Sequence, residues 1–557
     1  MKAMKKTILL GLLSMLLGQG AMAQDSLWVR YDNRFKANRF LINIAEYDSI
    51  EFRASTNATP VPVVRRYKGE EYSDYKITGM TGTKDGPALV IGNPGLIAWK
   101  PTTPDANYNN DYMVETNRWC FKHSKESDHF IVFWDKTFGE LKSGKVTGQV
   151  SGLTVDINDL LSKAEKFYKT NVETLEMCNK SVKSQLNTYK MSIYLLDTKD
   201  WVATGSGNDN KIGTLWVSPN TCQPVGSTIA HEIGHSFQYQ TYCDNILRGK
   251  PNDFRSGFRY GYPDSNGGCG FWEQCAQWQA HQDYPSEAIN SYHFDVWIQN
   301  CHRHFEHEWM RYASYWLQYY WTEQQGMTAL GRIWNESQYP EDASQAYQRI
   351  FLNNSYDELR RQYFEYAQKA ATFDFAAIKS YVGTKYNSYR TTLYATEAPE
   401  GVDEALKTGW KQIGYAQCPQ PTGFNVIPYS YNTAGREVKV YLQALPSGSA
   451  LPNGDPGQQV DGDGQKAGTV TAYNKTAISG HEALAFGFVT IKKDGKREYS
   501  EMTLATTQGV AEATYTIPTN ASKVFIVVQG CPDRYYRCPW DDKESTDNQL
   551  PYKIKIV

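Results

Sequence analysis

The chain has 557 residues, 41% of them hydrophobic and 14% aromatic, with 58 Lys and Arg against 60 Asp and Glu. That composition supplies ample core material and excludes a mainly disordered or fibrous chain. A net charge of −2, with no long block of like charges, lacks the electrostatic footprint of a nucleic-acid binder.

The first residues read as a secretory leader. Lys2, Lys5 and Lys6 form a positive n-region, Ile8 to Leu17 a short apolar run, and Ala21-Met22-Ala23 a cleavage pattern. Residues 1–23 are therefore expected to be a signal peptide, with Gln24 as the mature start. The apolar run is well short of the ~20 residues a membrane-spanning helix needs. The first cysteine, Cys120, lies far beyond it, so no lipid anchor is expected. The expected product is exported, secreted or periplasmic, with no membrane span. Its ten cysteines permit disulfides in such a compartment, but no Cys-x-x-Cys occurs and any pairing stays open.

The runs LWVRYDN, FLINIAE and SIEFRAS make residues 24–70 a small N-terminal β segment. The stretch from 61 to 110 is rich in Gly, Pro, Asn and Thr and reads as irregular. His129–Trp134 reads as a buried strand. Leu160, Leu161, Ala164, Phe167, Tyr168 and Val172 recur at helical spacing and predict a helix over Ile157–Met177. Met191–Leu196 and Gly213–Ser218 are predicted strands. A helical block follows from about Ser227 to Tyr366. After about Pro399 the pattern changes to runs such as EVKVYLQAL, FGFVTIKK and KVFIVVQG between turn residues. Residues 401–557 therefore read as an all-β domain, most simply a sandwich.

One motif carries chemistry. His231-Glu232-Ile233-Gly234-His235 puts two imidazoles one helical turn apart, close enough for both to bind one tetrahedral metal. Glu232 sits beside the same face, placed to act as general base on a metal-activated water. Ser227 or Thr228 offers an N-cap, and Ile229, Ile233 and Phe237 give the helix an apolar face. The preceding Gly213–Ser218 strand is expected to pair with an extended substrate by strand addition.

Two histidines leave a catalytic zinc one protein ligand short. The extended pattern with a third histidine fails, since Gln238 and Thr241 stand where its Gly and His would be. Glu273, in GGCGFWEQCAQWQAHQ, is the favoured third ligand. Phe271, Cys275 and Trp278 form one packing stripe there, and Glu273 heads a second stripe of small residues. A carboxylate in such a contact is costly unless paired or metal-bound. Asp244, Asp283 and His281 compete for the role.

On His231, Glu232, His235 and Glu273 the chain resembles the zincin superfamily of metallopeptidases, and more narrowly the gluzincins, whose third ligand is a Glu on a later helix. HEIGHSFQ also resembles a variant found in secreted bacterial peptidases that act on mucin-like glycoproteins. Glu273 lies 38 residues past His235, farther than the spacing of that group, which leaves the substrate class open. A closer likeness is to an uncharacterised family of exported bacterial proteins with a zincin core and a C-terminal β domain.

The resemblance implies an α+β fold. Residues 71–400 would be a zincin-like catalytic domain, a mixed sheet with the motif helix and a helical subdomain, ahead of the β-sandwich. It implies one catalytic Zn²⁺ held by His231, His235 and Glu273, with Glu232 as base, in an endopeptidase acting on a protein or glycoprotein. Tyr312, Tyr315 and His293 are candidates to steady the oxyanion, although Trp309, Tyr312, Trp316 and Tyr320 also fit a core stripe. His302, His304 and His307 could form a second metal site, and Asp461 to Gly464 a calcium turn; packing and an ordinary turn are the plainer readings. The competing function is a non-catalytic glycan- or protein-binding surface protein on the same scaffold. Trp410, Tyr415, Tyr429, Tyr431 and Trp540 would then present aromatic platforms for glycan contact through the C-terminal domain.

Overall fold

The structure is a computed structural model. It describes residues 117–250, 269–454, 468–539 and 546–557, together with six strands between Ser26 and Ile91 and a few positions from 96 to 112. The signal peptide, the 461–464 turn and Trp540 lie outside the described residues. The fold is α+β, in two compact units: residues to Val172 with Cys178–Arg248, and Glu173–Met177 with Gly249–Val557. Residues on both sides of position 400 thus belong to the second unit.

In the first unit, β1 (Ser26–Tyr31), β2 (Arg39–Asn43), β3 (Ser49–Ala54), β4 (Pro62–Lys68), β5 (Glu71–Thr83) and β6 (Gly86–Ile91) form a sheet in the order β2-β1-β6-β5-β4-β3. The reading of 61–110 as irregular is therefore corrected. Its Gly and Pro residues punctuate strands rather than replace them. Pro62 opens β4, Gly86 and Pro87 open β6, and Gly79 sits at a register shift in β5.

A second, mixed sheet carries the motif helix. Its strands are β7 (Ile97–Ala98), β8 (Ser124–Glu126), β9 (Phe130–Trp134), β12 (Tyr189–Leu195), β13 (Ala203–Asn208) and β14 (Ile212–Val217), with β10 (Lys145–Thr147) and β11 (Thr154–Asp156) forming a separate hairpin. The order is β13-β14-β12-β9-β8, with β7 also pairing β12. The central strands β9 and β12 are buried at every residue, as expected of strands covered on both faces. One face packs Ile131, Phe133 and Tyr194 against Tyr112 and Trp119. Against the other lie α1 (Ile157–Lys169) and α2 (Ser227–Leu247), with Tyr168 edge-on to both Phe130 and Phe237. The α-helix predicted to Met177 stops at Lys169 and passes into a π turn over Thr170–Thr174. Asn171 donates its side-chain amide to the Phe167 carbonyl there, a local bond that competes with the helical ladder.

The second unit opens with α3 (Cys269–His281), α4 (Glu287–Asn290), α5 (Tyr292–Asn300), α6 (Trp316–Gln325), α7 (Ala329–Glu336), α8 (Ala343–Phe351) and α9 (Tyr356–Ala370). Phe271, Cys275 and Trp278 are fully buried, as their spacing predicts. The β-rich C-terminal region follows, as the change in texture predicts. One antiparallel sheet uses β15 (Leu393–Ala395), β16 (Lys411–Ile413), β18 (Glu437–Ala444), β24 (Ala511–Thr516) and β26 (Tyr552–Ile556). The other uses β17 (Phe424–Tyr429), β21 (Ala483–Lys492), β22 (Arg497–Tyr499), β23 (Thr503–Thr506) and β25 (Ala521–Gly530); β19 (Ala450–Gly454) and β20 (Gly468–Thr471) pair separately. Val438, Val440 and Leu442 from the first sheet share one core with Phe486, Phe488 and Ile526 from the second. Among the described residues no helix is long and apolar enough to cross a membrane.

Candidate metal centre

Helix α2 is buried on all sides from Ile229 to Asn245. An apolar stripe alone would not allow that, because its polar residues need partners in the interior. The sheet supplies them. Ser236 Oγ donates to the Thr214 carbonyl, and the Gly213 N–H donates to Gln240 Oε1. Gln240 in turn donates to Asp244, which also accepts from Ser184 Oγ and the Gln185 N–H. Burial raises the Asp244 carboxyl above its ordinary range, against the pull of these bonds. Asp244, a competitor for the metal, is thus engaged in the helix–sheet contact.

Glycines let the helix come this close. A Cβ at Gly205 of β13 would overlap the Glu232 carbonyl oxygen, and one at Gly213 of β14 the Ser236 carbonyl. Sequence reading missed this pair. The spacing A-T-G-S-G-N…I-G-T, glycines recurring on neighbouring strands, was the available sign of a backbone seated on the sheet.

The expected N-cap is corrected. Gly226 holds the cap position and no side chain caps the helix, because Ser227 is already its first residue. The histidine pair is as expected. His231 and His235 are 8% and 6% exposed, with ring centroids 4.6 Å apart and planes at 87°. Glu232 lies between them, 6% exposed, and accepts the Gly205 N–H at 2.5 Å. His235 Nδ1 is 2.9 Å from Gln238 Oε1. The strand expected to pair with substrate is also corrected: β14 lies between β12 and β13, and the sheet edge is β13.

Glu273, on α3, is half-buried rather than fully enclosed, and it accepts the Tyr312 hydroxyl at 3.2 Å. Two imidazoles and a carboxylate are a donor set that zinc accepts, so the residues present fit that ion.

The other candidates divide. Tyr315 is buried and donates to the Ala288 carbonyl, a packing role. Tyr312 is 38% exposed, so the core-stripe reading holds for Trp316 and Tyr320 but not for Trp309 and Tyr312. His293 stacks on Tyr312. His302, His304 and His307 are buried and structural: His304 Nδ1 accepts the Glu306 N–H, and His307 Nε2 bonds Asp547. Trp410 and Tyr415 are buried, and Tyr429 and Tyr431 pack against the β core.

With an α+β fold and this donor set described, the chain can be placed among known proteins. It belongs to the family of unknown function DUF6055, whose model matches residues 98–557. No curated protein matches it. Among solved structures it is similar to the CBM22-1–GH10 modules of Clostridium thermocellum endo-1,4-beta-D-xylanase 10B complexed with xylohexaose, at 10% identity and TM-score 0.16, over 30% of this chain and 24% of that one. It is also similar to a xylan-binding domain from CBM 22, at 10% identity and TM-score 0.16, over 30% of this chain and 78% of that one. A third is a family GH115 4-O-methyl-alpha-glucuronidase, at 12% identity and TM-score 0.12, over 44% of this chain and 30% of that one. Likeness at that level carries no argument about fold or ligand.

Proposed function

We propose that the chain is an exported, zinc-dependent metalloendopeptidase of zincin type, hydrolysing peptide bonds in extracellular or glycosylated proteins. The observation that carries this reading is the buried pair His231 and His235, ring centroids 4.6 Å apart on one helix, with the buried carboxylate of Glu232 between them. His231, His235 and Glu273 would hold the ion. When bound, zinc supplies Lewis-acid polarisation and lowers the pKa of water toward ~7.

The remaining work falls to the chain. Glu232 takes the proton from the attacking water and returns it to the leaving amine. The Gly205 N–H fixes the direction in which that carboxylate is presented. Strand β13, at the sheet edge, offers backbone groups with which an extended substrate can pair. Buried Trp410 and Tyr415 do not favour an aromatic glycan platform.

Metal analysis of purified wild type beside Glu273→Ala tests the reading. Near-stoichiometric zinc in the first and its loss from the second support it. Equal zinc in both removes Glu273 from the ligand set.

A further inference from the structure

We infer that Gln238 is a positioning residue that sets the tautomer of His235 and so its readiness to bind a metal; this rests on the metal reading above. An amide oxygen can only accept a hydrogen bond. The 2.9 Å approach of His235 Nδ1 to Gln238 Oε1 therefore requires the proton on Nδ1. The lone pair then lies on Nε2, the nitrogen left to face a cation.

The geometry keeps this contact in place. Gln238 is 1% exposed and follows His235 by three residues, so both side chains leave the same face of α2. The Thr241 hydroxyl donates to the Gln238 carbonyl and tightens the turn that carries both. The Gln238 amide sits inside the protein within hydrogen-bond reach of the ring. As an acceptor for Nδ1–H it orients the ring and raises its basicity toward the metal.

The test is a zinc titration of the full chain against a competing chelator, with Co²⁺ absorption as a second readout. Gln238→Leu, which keeps bulk and removes the acceptor, is expected to weaken zinc about 10- to 100-fold. Gln238→Glu keeps an acceptor in place and is expected to hold zinc at least as tightly as wild type. The Co²⁺ spectrum should change in the Leu variant and persist in the Glu variant. If Gln238→Leu misfolds, the Glu variant and its spectrum decide: weakened metal there overturns the proposal. Wild-type affinity in a folded Gln238→Leu also overturns it while leaving the metal centre intact. A wild type that binds no zinc overturns the metal reading, and this proposal with it.

Discussion

The carboxylate of Glu232 accepts the backbone N–H of Gly205 at 2.5 Å, so the acid between the two histidines is tied to the edge strand of the sheet. The tie depends on a glycine, because any Cβ at 205 would collide with the carbonyl of Glu232 itself.

Gly205→Ala is therefore expected to push α2 off the sheet. Overpacking of this kind costs about 1–3 kcal/mol. Urea denaturation followed by circular dichroism measures it, and an unchanged midpoint would show that the contact yields freely.

Glu232→Gln keeps the shape and an acceptor for the Gly205 N–H but removes the proposed base. Peptidase activity on a denatured protein substrate should fall about 10²- to 10⁴-fold with zinc content unchanged. Retained activity would move the base elsewhere.

Tyr312 donates to Glu273 from a site 38% exposed, so Tyr312→Phe should leave the fold intact. If Glu273 is the third ligand proposed above, loss of the bond that orients its carboxylate is expected to weaken zinc about tenfold, read by chelator competition. Identical affinities would mean that Glu273 is oriented without it.

Acid should destabilise the second unit through His304. Burial and the nearby His307 push its imidazole down to about 3, and its Nδ1 already accepts the Glu306 N–H. Between that value and an unfolded pKa of ~6.5 the unfolded chain binds the extra proton. Stability conferred by the neutral ring is thus full above ~6.5 and declines as pH falls toward 3, by about 2 kcal/mol at pH 5. Urea midpoints of the metal-free protein from pH 7 to pH 5 should show this slope. His304→Asn, which offers an oxygen to the same N–H, should flatten it.

Thiol chemistry gives an independent check. Burial pushes the Cys222, Cys275 and Cys301 thiols up to about 12, and Trp334 donates to Cys275 Sγ at 3.2 Å. These three should resist alkylation in the native protein at pH 8 and react on unfolding, as mass spectrometry would register.

The chemistry was legible where it is local. The turn spacing of His231 and His235, and the stripe of Phe271, Cys275 and Trp278, follow from helical periodicity alone. What stayed hidden depends on partners distant in sequence. Gln238 read as a failed third-histidine pattern, yet the structure gives it the ring nitrogen of His235. Asp244 read as a candidate ligand, but it is held by Ser184 and Gln185, some sixty residues earlier. The strands of 62–91 were obscured because their Gly and Pro mark ends and a register shift, positions that composition cannot tell from loops.

The join between the helices and the C-terminal β region has its own consequence. Gln420 and Phe424 donate their N–H groups to the carbonyls of His302 and Cys301, Thr422 receives the Phe305 N–H, and Asp547 meets His307 inside the protein. These strands therefore cannot be excised as a portable cassette. A truncation near residue 400 would strip the backbone at 301–307 of its acceptors and donors, so neither fragment should be soluble in its native form.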